Sequence, residues 1–142
     1  MGRILMNTLV TDKKYTVILS AYQSTNSELD NLRDSQILHR FIEVYCHCHA
    51  INAVGVYNGD AELSFVIHTN SSNTVHQLKR GAFEVNNQEC VLISNNRKHD
   101  VQLHFSDAIT THIGTKFVRH DKAPKQATSY TILNGHDYWS VS

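Results

Sequence analysis

The stretch Val54 to His68, VGVYNGDAELSFVIH, constrains the fold of this chain more than any other. Val54, Val56, Phe65 and Ile67 alternate on either side of Asn58-Gly59-Asp60, residues that tolerate positive φ and close a hairpin. Tyr57 enters the turn and Glu62 leaves it, so a phenol and a carboxylate can lie close together on neighbouring strands. Such a pair suits a small cationic ligand, which needs a counter-charge and an aromatic face.

Other elements are arranged around this hairpin. Tyr15 to Tyr22, YTVILSAY, is nearly all apolar or β-prone and reads as a central strand. The turn formers of Gln23 to Ser27 follow, then Leu29, Leu32, Leu38, Phe41, Ile42 and Tyr45 recur at helical spacing, with Ser27 or Asn26 as N-cap. A second helix is expected over Thr74 to Val85, with Val75, Leu78, Ala82 and Val85 on one stripe. Cys90 to Ser94 and Val101 to Phe105 read as strands, Asp107 to Gly114 fits no single pattern, and Thr115 to Val118 reads as a short strand. Arg119 to Ala127, with the only proline, reads as an exposed loop. Tyr130 to Leu133 and Tyr138 to Val141 read as a closing hairpin across Asn134-Gly135.

The order strand, helix, strand, strand, helix, strand predicts an α+β fold, a ferredoxin-like βαββαβ sandwich with extra C-terminal strands. Two helices cover one face of an antiparallel sheet, and the other face is left to the added strands or to a neighbouring subunit. The 142 residues fit a single domain over 15–142, preceded by a flexible N-terminal tail over 1–14.

Lys plus Arg and Asp plus Glu are each 13, and no basic stripe interrupts this balance, which argues against nucleic-acid binding. Three cysteines, two of them only two positions apart, suit a reduced, cytoplasmic compartment rather than a disulfide framework. The opening MGRILMNTLVTDKK lacks the apolar run of an export signal, and no segment is long enough to span a membrane.

Cys46-His47-Cys48-His49 has the residue types of a zinc site. On a strand, however, its cysteines and histidines would face opposite ways, so no metal is expected there and the cysteines read as small apolar residues. Ten histidines are scattered along the chain, but no nucleophile elbow selects a triad, and neither GxGxxG nor a Walker loop marks a nucleotide phosphate.

Several stretches, in order, resemble the S-adenosylmethionine hydrolase family of bacteriophages, also described as S-adenosylmethionine lyases. They are YTVILSAYQS at Tyr15 to Ser24 with Asn31 following, GVYNGDAELS at Gly55 to Ser64, ECVLIS at Glu89 to Ser94, and YTILNGHDYWSV at Tyr130 to Val141. The resemblance implies a homotrimer with sites between subunits, cleaving S-adenosylmethionine to methylthioadenosine and either homoserine lactone or homoserine. It implies Glu62 and Tyr57 as the catalytic pair, and no cofactor, since S-adenosylmethionine is the substrate. Ser20, Ala21, Tyr22, Gln23 and Ser24 at the end of the first strand are suited to the nucleoside or methionine part, through backbone groups and an aromatic face. The rival reading is a ferredoxin-like sensing or anti-defence module without catalysis, because fold alone does not decide function.

Overall fold

In the computed structural model, which describes residues 7–125, 127 and 129–142, the hairpin forms where the alternation places it. Strands β2 (Ile51–Tyr57) and β3 (Asp60–Thr69) are joined through Asn58 and Gly59, at φ 49° and 85°, and Tyr57 stands opposite Asp60. Two successive positive φ values give the strands the twist that a tight hairpin requires.

Around it lie β1 (Tyr15–Ser20), α1 (Glu28–Arg40), α2 (Ser72–Arg80), β4 (Cys90–Asn95), β5 (Asp100–Phe105), β6 (Thr110–Gly114), β7 (Phe117–His120), β8 (Ser129–Leu133) and β9 (Asp137–Val141). The architecture is α+β. A single nine-stranded sheet runs β6-β5-β4-β1-β3-β2-β8-β9-β7, and each neighbouring pair is antiparallel.

One face of the central strands carries Val17, Leu19, Leu63, Phe65, Ile67, Val91 and Ile93, which pack with Leu38 of α1, with Ile42 just after it, and with Val75 and Leu78 of α2. The opposite face carries Ile18, Ile51, Ala53 and Val66, and it is covered by Leu133, Trp139 and Phe117 from the C-terminal strands together with Leu9. The sheet curls to do this. Its two ends approach where Thr115 N donates to Ser142 O (2.8 Å) and Ser142 N donates to Lys116 O (2.9 Å). The curled sheet therefore has an inner face, lined by the C-terminal strands, and an outer face, lined by the helices.

The structure departs from the sequence expectation in several places. Ser27 and Ser71 cap the helices, but α2 ends at Arg80, and both helices finish in a wider turn, over Phe41–Tyr45 and Gly81–Val85. Cys46 N bonds to Phe41 O and Asn86 N to Gly81 O, five residues apart, which slips the side-chain stripe out of phase. Tyr45 and Val85, expected on buried stripes, are exposed as a result, Val85 to 63%. The buried positions of α1 are Asn31, Ser35 and Leu38, while Leu29 and Leu32 face solvent. The segment Cys46 to Ala50 is not a strand, and His47 has φ 54°. The strand expected over Thr115 to Val118 lies two residues later, as β7, so it takes the first part of the stretch read as a loop. Asp107 to Gly114 contains β6. Of the expected tail, residues 1–6 lie outside the described residues; within 7–14, Leu9 is 2% exposed, Val10 is exposed, and Lys13 O accepts from Asn96 Nδ2. Among the described residues no helix is long and apolar enough to cross a membrane.

Candidate active site

The β2–β3 register fixes which side chains share a face. Ala53 stands opposite Ser64, Gly55 opposite Glu62 and Tyr57 opposite Asp60, and β1 adds Ser20 opposite Ser64. Because side chains alternate along a strand, Ser20, Gly55, Tyr57, Glu62 and Ser64 all lie on the inner face. Glu62 and Tyr57 are diagonal neighbours there, a spacing within reach of an aromatic ring. The two residues do share one face, beyond the part of it that Leu9 and Trp139 cover.

Glu62 is half-buried, and desolvation pushes its pKa above the usual glutamate value. Among the described residues no cation pairs with its carboxylate. A partly desolvated carboxylate without a counter-ion is energetically incomplete, and a cation would complete it. Tyr57 is 64% exposed at the rim of the inner face.

The strand end at 20–24 divides by side chain. Ser20 is buried, donates to Leu63 O (2.7 Å) and accepts from Tyr22 N (3.0 Å). Ala21 points to the helix side and belongs to that core. Tyr22 is partly buried, and its phenol is pushed above its ordinary pKa by desolvation, by Glu28 and by Glu62. The backbone of Gln23 is clamped by Asn31, which accepts from Gln23 N (2.9 Å) and donates to Gln23 O (3.1 Å), while Gln23 Nε2 donates to Asn86 O (2.7 Å). Ser24 is exposed in the following turn. Thus Ser20, Tyr22, Tyr57 and Glu62 gather on or beside the inner face, while Ala21 and Gln23 are occupied in holding the chain.

One ladder of the sheet ends next to this group. β1 pairs with β3 as far as Ser20, but its pairing with β4 stops at Ile18 opposite Leu92. Beyond that point the β1–β4 pairing ends, leaving the β4 side of Ser20 out of the ladder, and Gln88 Nε2 donates to Tyr22 O (3.0 Å) instead. Cys90, at the start of β4, has its pKa raised by desolvation, by Glu89 and by Glu62. Sequence reasoning did not single out Cys90 or Gly55 as site residues. Counting alternation back from Tyr57 would have found Gly55, but Cys90 becomes a neighbour only through the non-local β1–β4 pairing.

The Cys46 to His49 segment lies elsewhere, after α1. Cys46 is buried and its thiol is pushed up to about 11 by desolvation and by Cys48, whose Sγ donates to Cys46 O (3.4 Å). Among the described residues no three His, Cys, Asp or Glu side chains gather closely enough to hold a metal ion.

Comparison with known proteins identifies the family of the chain. No curated protein matches the chain. Residues 17–142, which span every strand after the first two positions of β1, match the S-Adenosylmethionine lyase family. The chain belongs to that family, and it is an enzyme with S-adenosylmethionine as its substrate.

Proposed function

We propose that the protein converts S-adenosylmethionine to methylthioadenosine and L-homoserine lactone by attack of the substrate's own carboxylate. The observation that carries this reading is the half-buried, unpaired carboxylate of Glu62 on the inner face. The substrate bears a sulfonium, an ammonium and a carboxylate, so one protein carboxylate and aromatic surface suit it better than lysines. Glu62 holds the ammonium with help from Tyr57, and this keeps the ammonium from pairing with the carboxylate that must react.

A carboxylate oxygen then forms a bond to the γ-carbon as the carbon–sulfur bond breaks. The electron pair stays on sulfur, the sulfonium becomes a neutral thioether, and a five-membered lactone is released. Atoms and charge balance without a protein nucleophile, metal or cofactor. The enzyme's main task is to fold the methionine chain into a reactive conformer, an effect worth up to ~7–11 kcal/mol in favourable cases. Ser20 to Ser24, at the end of β1, are suited to the nucleoside or methionine part, with the Tyr22 ring and the exposed Ser24 as the contacts.

The strand order β4-β1-β3-β2, with a helix between β1 and β2 and another between β3 and β4, supports a ferredoxin-like core to which β5–β9 are added. We also read the enzyme as a trimer with shared sites. The exposed Tyr57 ring at the rim, and Ile37, Val44 and Tyr45 exposed along one side of the first helical segment, support apolar contacts between subunits.

Purified protein incubated with S-adenosylmethionine at neutral pH should release methylthioadenosine, with lactone as the other product at early times. Homoserine appearing first would instead favour a hydrolase with Glu62 as general base, a role its raised pKa also suits. Intact S-adenosylmethionine after long incubation would reject both. For assembly, mixing two inactive variants with lesions on opposite sides of a shared site should restore some activity, and a monomeric mass in sedimentation would reject sharing.

A further inference from the structure

We propose that Gly55 is a specificity-determining position: its missing side chain makes the room in which an ammonium-bearing carbon meets Glu62. The inference rests on the reading of Glu62 given above. A glycine inside a strand costs roughly 0.5–1 kcal/mol relative to alanine, so its presence in β2 calls for a reason. Backbone conformation is not the reason, because the glycines at positive φ are Gly59 and Gly135. Space is. A Cβ built at Gly55 stands 2.9 Å from Ser64 Oγ and 3.8 Å from Glu62 Cγ, so the volume it would fill lies directly against the glutamate's methylene chain on the inner face.

The row in which Gly55 sits strengthens the argument. Across four neighbouring strands the register reads Glu62, Gly55, Thr131, Trp139. Glu62 is half-buried with no cationic partner among the described residues, and Trp139 is 5% exposed. Between them the sheet presents one bare position and one small residue. Strand-interior glycines often mark such places, where a ligand approaches the backbone closely. A primary ammonium occupies about the volume that a methyl at Gly55 would take away. The ligand class is therefore an α-amino acid with a free amino group, gripped at Glu62 and lying over the backbone of Gly55.

Gly55→Ala alone would meet the Ser64 hydroxyl, so the test is Gly55→Ala combined with Ser64→Ala, compared with Ser64→Ala alone. The double variant should melt within a few degrees of the single one. Its Kd for S-adenosylhomocysteine, which keeps the amino-acid end, should weaken at least tenfold. Its Kd for methylthioadenosine, which lacks that end, should stay within twofold, and KM should rise more than kcat falls. In a Glu62→Gln background the same change at Gly55 should have little further effect, since the group it makes room for is no longer held. Should the double variant unfold, Gly55→Ala with Ser64→Gly gives the added methyl more room and the same comparison applies. Equal weakening of both ligands, or no weakening of either, overturns the proposal. Turnover of S-adenosylmethionine by the native enzyme together with an unshifted pair of Kd values rejects the role of Gly55 alone, whereas absence of turnover and of binding rejects the reading of Glu62 and this inference with it.

Discussion

Phe41 lies so close to Gly81 that a Cβ at Gly81 would stand 2.5 Å from one carbon of the Phe41 ring and 2.8 Å from another. Each residue begins the wide turn that ends its helix, so the contact joins the two helical segments on the outer face. Phe41 also stacks on Tyr45, with ring centroids 5.2 Å apart, which restricts its retreat. Gly81→Ala should therefore destabilise the fold by about 1–3 kcal/mol through overpacking, despite alanine's better helix propensity. Phe41→Leu should relieve much of that cost in the double variant. Denaturant melts of the four proteins check this, and additive effects would show that the contact is not what sets the residue at position 81.

The closing hairpin is held by a charged pair at its turn. Arg119 donates through Nε (2.9 Å) and Nη2 (2.7 Å) to Asp137 Oδ1, and Asn134 Nδ2 donates to Asp137 Oδ2 (2.9 Å). Hydrogen bonds from Asn134 and then Arg119 hold the Asp137 carboxyl below its ordinary pKa. A depressed carboxylate contributes stability above its unfolded pKa and loses it as pH falls through the folded value. Asp137→Asn should thus lower the melting temperature at pH 7, and the difference from the native protein should shrink below about pH 4. A difference independent of pH would assign the effect to packing.

His68 ties the N-terminal segment to the sheet. Its Nε2 lies 2.9 Å from the Thr8 carbonyl, which can only accept, so the proton sits on Nε2 and Nδ1 accepts from Thr16 Oγ (2.8 Å). Thr16 Oγ in turn accepts from Asn96 Nδ2 (2.9 Å). Desolvation lowers the pKa of His68, opposed by its bond to Thr8. The unfolded chain takes up the proton more readily, so this arrangement loses stability as pH falls below about 6.5. Amide exchange over residues 7–14, corrected for intrinsic rate, should speed up between pH 7.5 and 5, and His68→Gln should flatten that dependence. Leu9→Ala should cost about 2–5 kcal/mol, because Leu9 fills the inner core beside Ile51 and Trp139.

How far the fold was legible depends on whether the deciding interaction was local. Asn58-Gly59 announced the hairpin because positive φ is a property of the turn residues themselves. The buried stripe of α1 was misread because hydrophobicity cannot show that Asn31 is buried to satisfy the backbone of Gln23, while Leu29 stays 66% exposed. Val85 was misplaced because nothing in GAFEV announces the wide turn at Gly81, where the chain also packs against the distant Phe41. Glu62 and Tyr57 were singled out through their nearness to the turn, and the hairpin register puts both on one face. Gly55 was visible only by alternation, and the curl that covers the inner face depends on pairings between residues more than 70 positions apart, such as Gly55 with Thr131.

Glu62 makes the last prediction, because its stability and its function pull in opposite directions. Desolvation raises its pKa, so the ionised side chain costs the free protein stability at neutral pH and the cost disappears as pH falls through the raised value. Without ligand, Glu62→Gln should therefore melt at the same temperature as the native protein or slightly higher at pH 8. The ligand's ammonium, however, needs the ionised form. Glu62→Gln should lose about 2–4 kcal/mol of transition-state stabilisation, roughly 30- to 1,000-fold in kcat/KM. In the native enzyme kcat/KM should fall on the acid side with a midpoint above the usual glutamate value, about 4.3. That limb should be missing from whatever activity the variant retains. A Glu62→Gln enzyme with native kcat/KM and an unchanged acid limb would mean that the carboxylate is not what holds the cation.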